Sequence, residues 1–213
     1  MKSQRIGLTA LITLLTTVLT PFAPNLTILP VYQAFSQPAP SSDNSPEACD
    51  VRSQSMSHTI EVNDHVLINK IVYRSQSPKH GDIIVFNPTK SIQQNNLPTN
   101  LGGPLIRRVI GLPGETVKVV NGKVFINNQP LKEKYIKEKP DYLFAPVTIP
   151  SNSYFVLGDN RNDSYDSHVW GFVPQDLIIG QVVRIVKLQS PLQQKELKSE
   201  VLNPSSSTGC NLF

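Results

Sequence analysis

Short apolar runs separated by polar, turn-forming residues characterise the chain after residue 50. Ile83–Phe86 combines β-branched and aromatic residues, which is typical of a buried strand. Two more β-rich runs, Thr116–Val120 and Lys123–Ile126, flank Asn121-Gly122, a dipeptide that favours a hairpin turn because both turn positions need positive φ. The other strand-like segments are residues 154–157 and 178–186. Helical periodicity is weak, so the pattern predicts an all-β, antiparallel domain with long loops.

The N-terminal segment, residues 1–36, differs from the rest of the chain. Residues 6–42 carry no charge, and an apolar run over residues 6–19 follows Lys2 and Arg5. A basic start followed by such a run is typical of a secretory signal or a short membrane anchor. An uncharged span of about 18 residues is close to the lower limit for crossing a bilayer, so we predict a single-pass anchor. A signal cleaved after the small residues near the end of this segment is the alternative.

Both alternatives place the folded part of the chain on the extracytoplasmic side of a membrane, periplasmic or lumenal, because basic residues stay on the cytoplasmic side. Residues 37–50 are rich in Pro and Ser, which predicts an extended, solvated linker. Residues 51–190 form the predicted domain. Residues 191–213 are again rich in small and polar residues and predict a flexible C-terminal tail.

Composition limits the chain to one folded domain plus the N-terminal segment. With 213 residues, of which 39% are apolar, it has no room for a second large catalytic domain. Lys and Arg number 20 against 16 Asp and Glu, without a long basic run, so nucleic acid is not an expected partner. Two cysteines exclude a four-cysteine zinc site, and the four histidines lack ligand spacing, so we expect no metal and no cofactor.

The two cysteines flank the predicted domain. Cys49 precedes it and Cys210 follows it. The ends of a domain often lie close together, and an exported location permits a disulfide. We predict a bridge between them, with two free thiols as the alternative.

Three polar segments carry candidate chemistry: residues 53–59 (SQSMSHT), 105–115 (LIRRVIGLPGE) and 158–171 (GDNRNDSYDSHVWG). Each alone is typical of a loop start, a tight turn or a hydrogen-bonded corner. In this order, and together with residues 81–86 (GDIIVF), they resemble the bacterial signal peptidase I (leader peptidase) family, especially its cyanobacterial and thylakoidal members. The resemblance extends over most of residues 51–187.

The resemblance implies a membrane-associated serine endopeptidase that cleaves signal peptides from exported preproteins. It implies that Ser55, directly before a methionine, is the nucleophile, and that Ser53 helps to bind the oxyanion. In the third segment it implies a serine that orients the general base, Ser164, and a structural aspartate, Asp166. His168, where many members have arginine, is expected to contact Asp166. The implied partners are signal peptides and the membrane.

Position 107 departs from the family pattern. The family's general base is a lysine, and this chain has Arg107 there. A lysine serves as a base when burial lowers its pKa toward neutrality, whereas a guanidinium does not deprotonate in proteins. We therefore also consider a catalytically impaired homologue that binds signal-peptide ends without efficient cleavage. Because Ile106 and residues 108–110 match the family's strand, the resemblance implies that Arg107 lies beside Ser55 and Ser164, and alternation along the strand determines which way its side chain points.

Other residues are candidates for the missing base. His58 lies three residues after Ser55, where the family usually has proline, and an imidazole has a suitable pKa. An exposed loop histidine is the alternative reading of this residue. Lys70 and Lys118 lie in strand-like segments of unknown direction. A third hypothesis is a non-enzymatic exported β-domain, because a fold alone does not determine function.

Overall fold

The computed structural model describes residues 46–94, 103–187 and 210–213, and strands dominate this part of the chain. The strands are β1 (Glu47–Val51), β2 (His65–Asn69), β3 (Ile83–Phe86), β4 (Leu105–Gly111), β5 (Thr116–Val120), β6 (Lys123–Ile126), β7 (Gln129–Pro130), β8 (Phe144–Thr148), β9 (Ser153–Leu157), β10 (Val173–Pro174), β11 (Ile178–Val186) and β12 (Asn211–Leu212). The α-helices are α1 (Lys90–Gln94) and α2 (Ser167–Trp170), and the 3₁₀ helices are Val72–Arg74 and Gln175–Leu177. The prediction of an all-β domain is confirmed.

The strands form two sheets. The larger has the order β10-β9-β4-β3-β11-β2-β1-β12, and the smaller has the order β7-β6-β5-β8. The sheets are antiparallel apart from the parallel pair of β1 and β12. The predicted hairpin is confirmed, because β5 and β6 meet at Asn121 and Gly122, with φ of 51° and 69°. Both turn residues thus have the positive φ that the hairpin needs.

Burial explains why the central strands lack strict alternation. All four residues of β3 and all seven of β4 are buried, because apolar clusters cover both faces of the larger sheet. In the smaller sheet, β5 alternates between half-buried and buried residues, as expected for a strand with one face on the core. Strand β4 carries the second of the three polar segments, so its burial decides the surroundings of Arg107.

The predicted membrane segment lies outside the described residues. Residues 1–36 are not described, nor are most of the predicted linker and most of the predicted tail. Among the residues that are described, no helix has the length and apolar character needed to cross a membrane. The single-pass anchor and the extracytoplasmic location therefore stay predictions.

The ordered sheet extends beyond the predicted domain at both ends. Strand β1 starts at Glu47, inside the predicted linker, and β12 lies inside the predicted flexible tail. The reason is burial, since Cys49 is 1% exposed and Leu212 is fully buried in one apolar cluster with residues of β2 and β3. A disulfide between Cys49 and Cys210 holds the two ends together, which confirms the predicted bridge.

Removing this disulfide should destabilise the domain. The bridge closes a loop over a sequence separation of 161. Closing a loop of this size lowers the conformational entropy of the unfolded chain, which stabilises the folded state by up to about 5 kcal/mol. We expect the double variant Cys49→Ser, Cys210→Ser to have a lower urea midpoint than wild type under non-reducing conditions. Wild type measured with reductant is the matched control, and it should unfold at the midpoint of the double variant. Equal midpoints in all three samples would contradict the prediction.

Candidate active site

The loop after β1 carries the predicted nucleophile. Ser55 is 8% exposed, and its Oγ lies 3.5 Å from Oγ of Ser53. Met56 is fully buried in an apolar cluster with residues of β3 and β4, and this packing anchors the loop. The neighbouring Ser57 points elsewhere, because its hydroxyl donates to Glu61 Oε2 at 2.7 Å. The local structure thus separates the two serines that flank the methionine.

Arg107 lies on β4, opposite Ile84 of β3, and is 2% exposed. Its Nη1 donates to the carbonyl oxygens of Ile106 at 2.6 Å and Phe213 at 3.1 Å. Its Nη2 donates to the carbonyl oxygen of Tyr165 at 3.0 Å. The guanidinium therefore holds three backbone carbonyl groups from three separate segments.

These residues meet in one cleft of about 620 Å³. Its lining comprises Ser53, Gln54, Ser55, Arg107, Asn162, Asp163, Ser164, Tyr165 and Phe213. Four of the predicted site residues, Ser53, Ser55, Arg107 and Ser164, thus share one surface although they come from three distant segments. The structure places them together, and their roles in a reaction remain proposals.

Asp166 lies behind this cleft and organises the third segment. It is fully buried, and its Oδ2 accepts a hydrogen bond from the N–H of Gly158 at 2.9 Å. Its Oδ1 accepts from the N–H of His168 at 3.2 Å and lies 2.7 Å from His168 Nδ1. The expected contact between Asp166 and His168 is confirmed. Asp166 caps α2 and has the contacts of a structural residue.

Burial sets the electrostatics of Arg107. Loss of solvent lowers the pKa of Arg107 to about 10, and the nearby carboxylate of Asp166 opposes this decrease. A group with this pKa remains protonated near neutral pH. Arg107 is therefore a fixed positive charge and a hydrogen-bond donor, and it is unsuited to accept the proton of Ser55.

Two polar atoms at this cleft have no hydrogen-bond partner within the described chain. They are Nε of Arg107 and Oγ of Ser164, and both are buried. Buried polar groups in proteins are nearly always paired with protein or with ordered water. A peptide carbonyl or a water molecule in the cleft would satisfy both, since one atom donates and the other donates or accepts.

The other candidate bases lie away from the cleft. His58 is exposed and is not among the residues that line the cleft. Lys70 forms an ion pair with Glu47, and Lys118 donates to Asn128 Oδ1 at 2.8 Å. Among the described lining residues, Arg107 is the sole cation, and none of them is a lysine or a histidine.

Sequence reasoning missed the residues that hold the Ser55 loop in place. Asn160 donates from its backbone N–H to the carbonyl oxygen of Ser55 at 3.1 Å and from Nδ2 to that of Gln54 at 3.2 Å. Gly158 leaves no room for a Cβ, which would overlap Ser164 Oγ and the carbonyl oxygen of Ser55. The Gly-Asp-Asn-Arg corner is therefore the backbone support of the predicted nucleophile. Gly158 and Asn160 were visible in the sequence as parts of a polar segment, but their contacts with the Ser55 loop were not.

A buried ion pair joins the same corner to β4. Arg108 donates from Nε to Asp159 Oδ1 at 2.8 Å and from Nη2 to Asp159 Oδ2 at 2.6 Å. The Arg108 guanidinium also lies 4.0 Å from the ring centroid of Tyr135. Thr59 donates to Asp159 Oδ2 at 2.5 Å, so the pair reaches the Ser55 loop as well.

Breaking this pair from one side should be costly. In Asp159→Asn the buried Arg108 loses its counterion, and such losses cost about 3–5 kcal/mol. We expect a clear fall in the urea midpoint, measured by circular dichroism. The matched control is Glu47→Gln, which breaks the solvent-accessible pair with Lys70 and should cost less than about 1 kcal/mol. Equal losses of stability in both variants would show that the buried Arg108–Asp159 pair stabilises the domain no more than the exposed Glu47–Lys70 pair does.

Comparison with known proteins identifies similar chains in several organisms. The chain is 53% identical over 137 residues to "Signal peptidase I" of Leptolyngbya laminosa, which covers 64% of this chain and 66% of that protein. It is 46% identical over 135 residues to "Probable signal peptidase I-2" of Synechocystis sp., covering 63% of this chain and 60% of that protein. It is 35% identical over 133 residues to "Probable thylakoidal processing peptidase 2, chloroplastic" of Arabidopsis thaliana, covering 62% and 36%.

These matches span at most 66% of the length of the three relatives, and they bear out the resemblance to cyanobacterial and thylakoidal members. A family model described as "Signal peptidase, peptidase S26" matches residues 45–187, which include every residue of the cleft except Phe213. The fold, the three polar segments and the matched region agree with one another, and the chain belongs to the signal peptidase family, peptidase S26.

Proposed function

We propose that this chain is a membrane-associated serine endopeptidase that cleaves signal peptides from exported preproteins. The observation that carries the proposal is the meeting of Ser53, Ser55 and Ser164 in one cleft, on a chain of the signal peptidase family. The names of its relatives support the same activity. The membrane location rests on the predicted anchor in residues 1–36.

Ser55 Oγ is the proposed nucleophile. It forms a bond to the scissile carbonyl carbon as its proton passes to solvent, and the peptide C–N bond then breaks as the amine takes up a proton from solvent. Water hydrolyses the resulting acyl ester and restores the Ser55 hydroxyl. The Ser53 hydroxyl, 3.5 Å from Ser55 Oγ, and the backbone N–H of Ser55 are the proposed donors to the oxyanion. Arg107 binds a backbone carbonyl of the substrate, as it binds three protein carbonyls in the structure.

A second candidate function is the binding of signal-peptide ends without efficient cleavage. Arg107 favours it, because a pKa of about 10 keeps the guanidinium charged where the family has its lysine base. In this case the cleft still recognises an extended peptide, and Ser55 reacts slowly for want of a base. The two candidates share a binding site and differ in rate.

The experiment that tests both candidates uses the full chain in detergent and a purified preprotein with an Ala-x-Ala signal end. Cleavage is followed by mass spectrometry of the product, and binding by fluorescence anisotropy of a labelled signal-end peptide. Cleavage at the Ala-x-Ala end supports the endopeptidase, and binding without cleavage supports the second candidate. Absence of both would remove the signal-peptidase assignment and favour a non-enzymatic domain.

Loss of the Ser53 hydroxyl should lower the catalytic rate selectively. Removal of one oxyanion donor lowers kcat by roughly a hundred- to a thousandfold in a serine protease. We expect Ser53→Ala to fall in this range with little change in KM, because the oxyanion exists only in the transition state. The matched control is Ser57→Ala, since Ser57 donates to Glu61 outside the cleft. Similar losses in both variants would contradict the proposed role of Ser53.

A further inference from the structure

Residues 210–213, here called the tail strand, lie between the two segments that lead to Ser55 and Arg107. On one side, Asp50 N–H donates to the carbonyl oxygen of Cys210 at 2.9 Å and Arg52 N–H to that of Leu212 at 2.7 Å. On the other side, Ile106 N–H donates to the carbonyl oxygen of Phe213 at 3.0 Å. The N–H of Phe213 also donates to the carbonyl oxygen of Pro104 at 3.0 Å. The tail strand is therefore paired on both edges.

The position it fills is an opening in the larger sheet. Strand β9 pairs with β4 only from Arg108 to Gly111, so the backbone of residues 104–106 has no partner from β9. Residues 50–52 form the other border, because β1 pairs with β2 on its opposite edge. We call the space between residues 50–52 and 104–106 the peptide groove. An extended peptide of any sequence can use its backbone hydrogen bonds, which is the common mode of strand addition.

Side chains fix the tail strand in this groove. Leu212 is fully buried in the apolar cluster that contains Met56 and Ile106. Phe213 lines the cleft with Ser53 and Ser55, and its carbonyl oxygen accepts from Arg107. The disulfide joins Cys210 to Cys49 of β1 next to the groove, so the tail strand cannot diffuse away.

We infer that the tail strand is a tethered occupant of the groove that binds extended peptides, and that a signal-peptide end must displace it. This inference rests on the proposed function, because it assigns the groove to the substrate. A tether of this kind presents its segment at an effective concentration of about millimolar or higher, against which an added peptide competes. The open groove is then a minor state of the chain. The apparent affinity for an added peptide equals the intrinsic affinity multiplied by the fraction of molecules in which the groove is open.

The first test weakens the attachment of the tail strand by changing Leu212, the buried side chain that holds it in the groove. In Leu212→Asp a charge replaces the buried side chain, and we expect the dissociation constant for a fluorescein-labelled Ala-x-Ala peptide to decrease by at least about tenfold. Leu143→Asp is the matched control, since Leu143 is 79% exposed and lies outside the cleft, and it should leave peptide affinity unchanged. A folded Leu212→Asp variant with the affinity of wild type would overturn the inference.

The second test needs no substitution and covers the case in which Leu212→Asp fails to fold. A phosphine and water reduce the disulfide to two thiols, and the phosphine becomes its oxide. We then expect faster hydrogen exchange at the amides of Arg52 and Ile106, which donate to the tail strand, and tighter peptide binding. Exchange in the β5–β6 hairpin should not change. Unchanged exchange and affinity, or unfolding of the whole domain on reduction, would overturn the inference, because the tail strand would then be a required part of the sheet.

A third measurement separates this inference from the proposed function. A synthetic peptide with the sequence of residues 207–213, and serine in place of Cys210, is added to the reduced chain. We expect it to restore protection at Arg52 and Ile106. If it does so while Ala-x-Ala peptides fail to bind, the tethered strand stands and the signal-peptidase proposal fails. If Ala-x-Ala peptides bind equally before and after reduction, the proposal stands and the tethered strand fails.

Discussion

Arg107→Lys is expected to raise the rate of preprotein cleavage by about a hundredfold or more. A positioned general base contributes about 10²–10⁴-fold, and the wild-type cleft holds a guanidinium that stays protonated. A lysine at this buried position loses solvent, which lowers the pKa of its amine toward the range of a base. The rate is measured with a purified preprotein under single-turnover conditions, on the full chain in detergent.

The pH dependence identifies the new base. The rate of Arg107→Lys should rise with pH as its amine loses a proton, because only the neutral amine accepts the proton of Ser55. His58→Ala in the same background should have no effect, since His58 is exposed and outside the cleft. A wild type that cleaves as fast as Arg107→Lys would show that another base exists. Loss of that activity in His58→Ala would assign the base to His58.

Ser55→Ala should abolish whatever cleavage the chain performs. The Ser55 hydroxyl is the proposed nucleophile, and the acyl ester forms on its oxygen. We expect at least a thousandfold loss in kcat with retained peptide binding, because the acyl ester cannot form without the Ser55 hydroxyl. The measurement compares product formation with peptide affinity in the same preparation. Cleavage that survives in Ser55→Ala would show that the nucleophile lies elsewhere.

Much of the fold followed from local patterns in the sequence. The β5–β6 hairpin was predicted because the requirement for positive φ at Asn121-Gly122 is a local property. Strand β3 was predicted because Ile83–Phe86 is a short run of β-branched and aromatic residues, and the structure shows that all four of its residues are buried. The grouping of Ser53, Ser55, Arg107 and Ser164 came from a resemblance of ordered segments, since no local pattern brings distant segments together.

The ordered ends of the sheet and the support of the Ser55 loop depended on long-range contacts, which leave no local pattern in the sequence. Residues 37–50 and 191–213 have the composition of solvated chain, yet Cys49 and Leu212 are buried because the disulfide and the pairing of β1 with β12 hold them. Asn160 was visible only as part of a polar corner, and its hydrogen bonds to Gln54 and Ser55 cross more than a hundred residues of chain. Such contacts are decided by the whole fold.

The proposal that the cleft binds signal-peptide ends is tested most directly by mapping the residues that such a peptide contacts. A photoreactive Ala-x-Ala peptide is cross-linked at saturating concentration to the full chain carrying Ser55→Ala, and the labelled residues are mapped by mass spectrometry. We expect labels within residues 53–55, 104–107 and 162–165, which are lost when unlabelled peptide competes. Labels confined to other surfaces, or labels that competitor does not remove, would contradict the proposal.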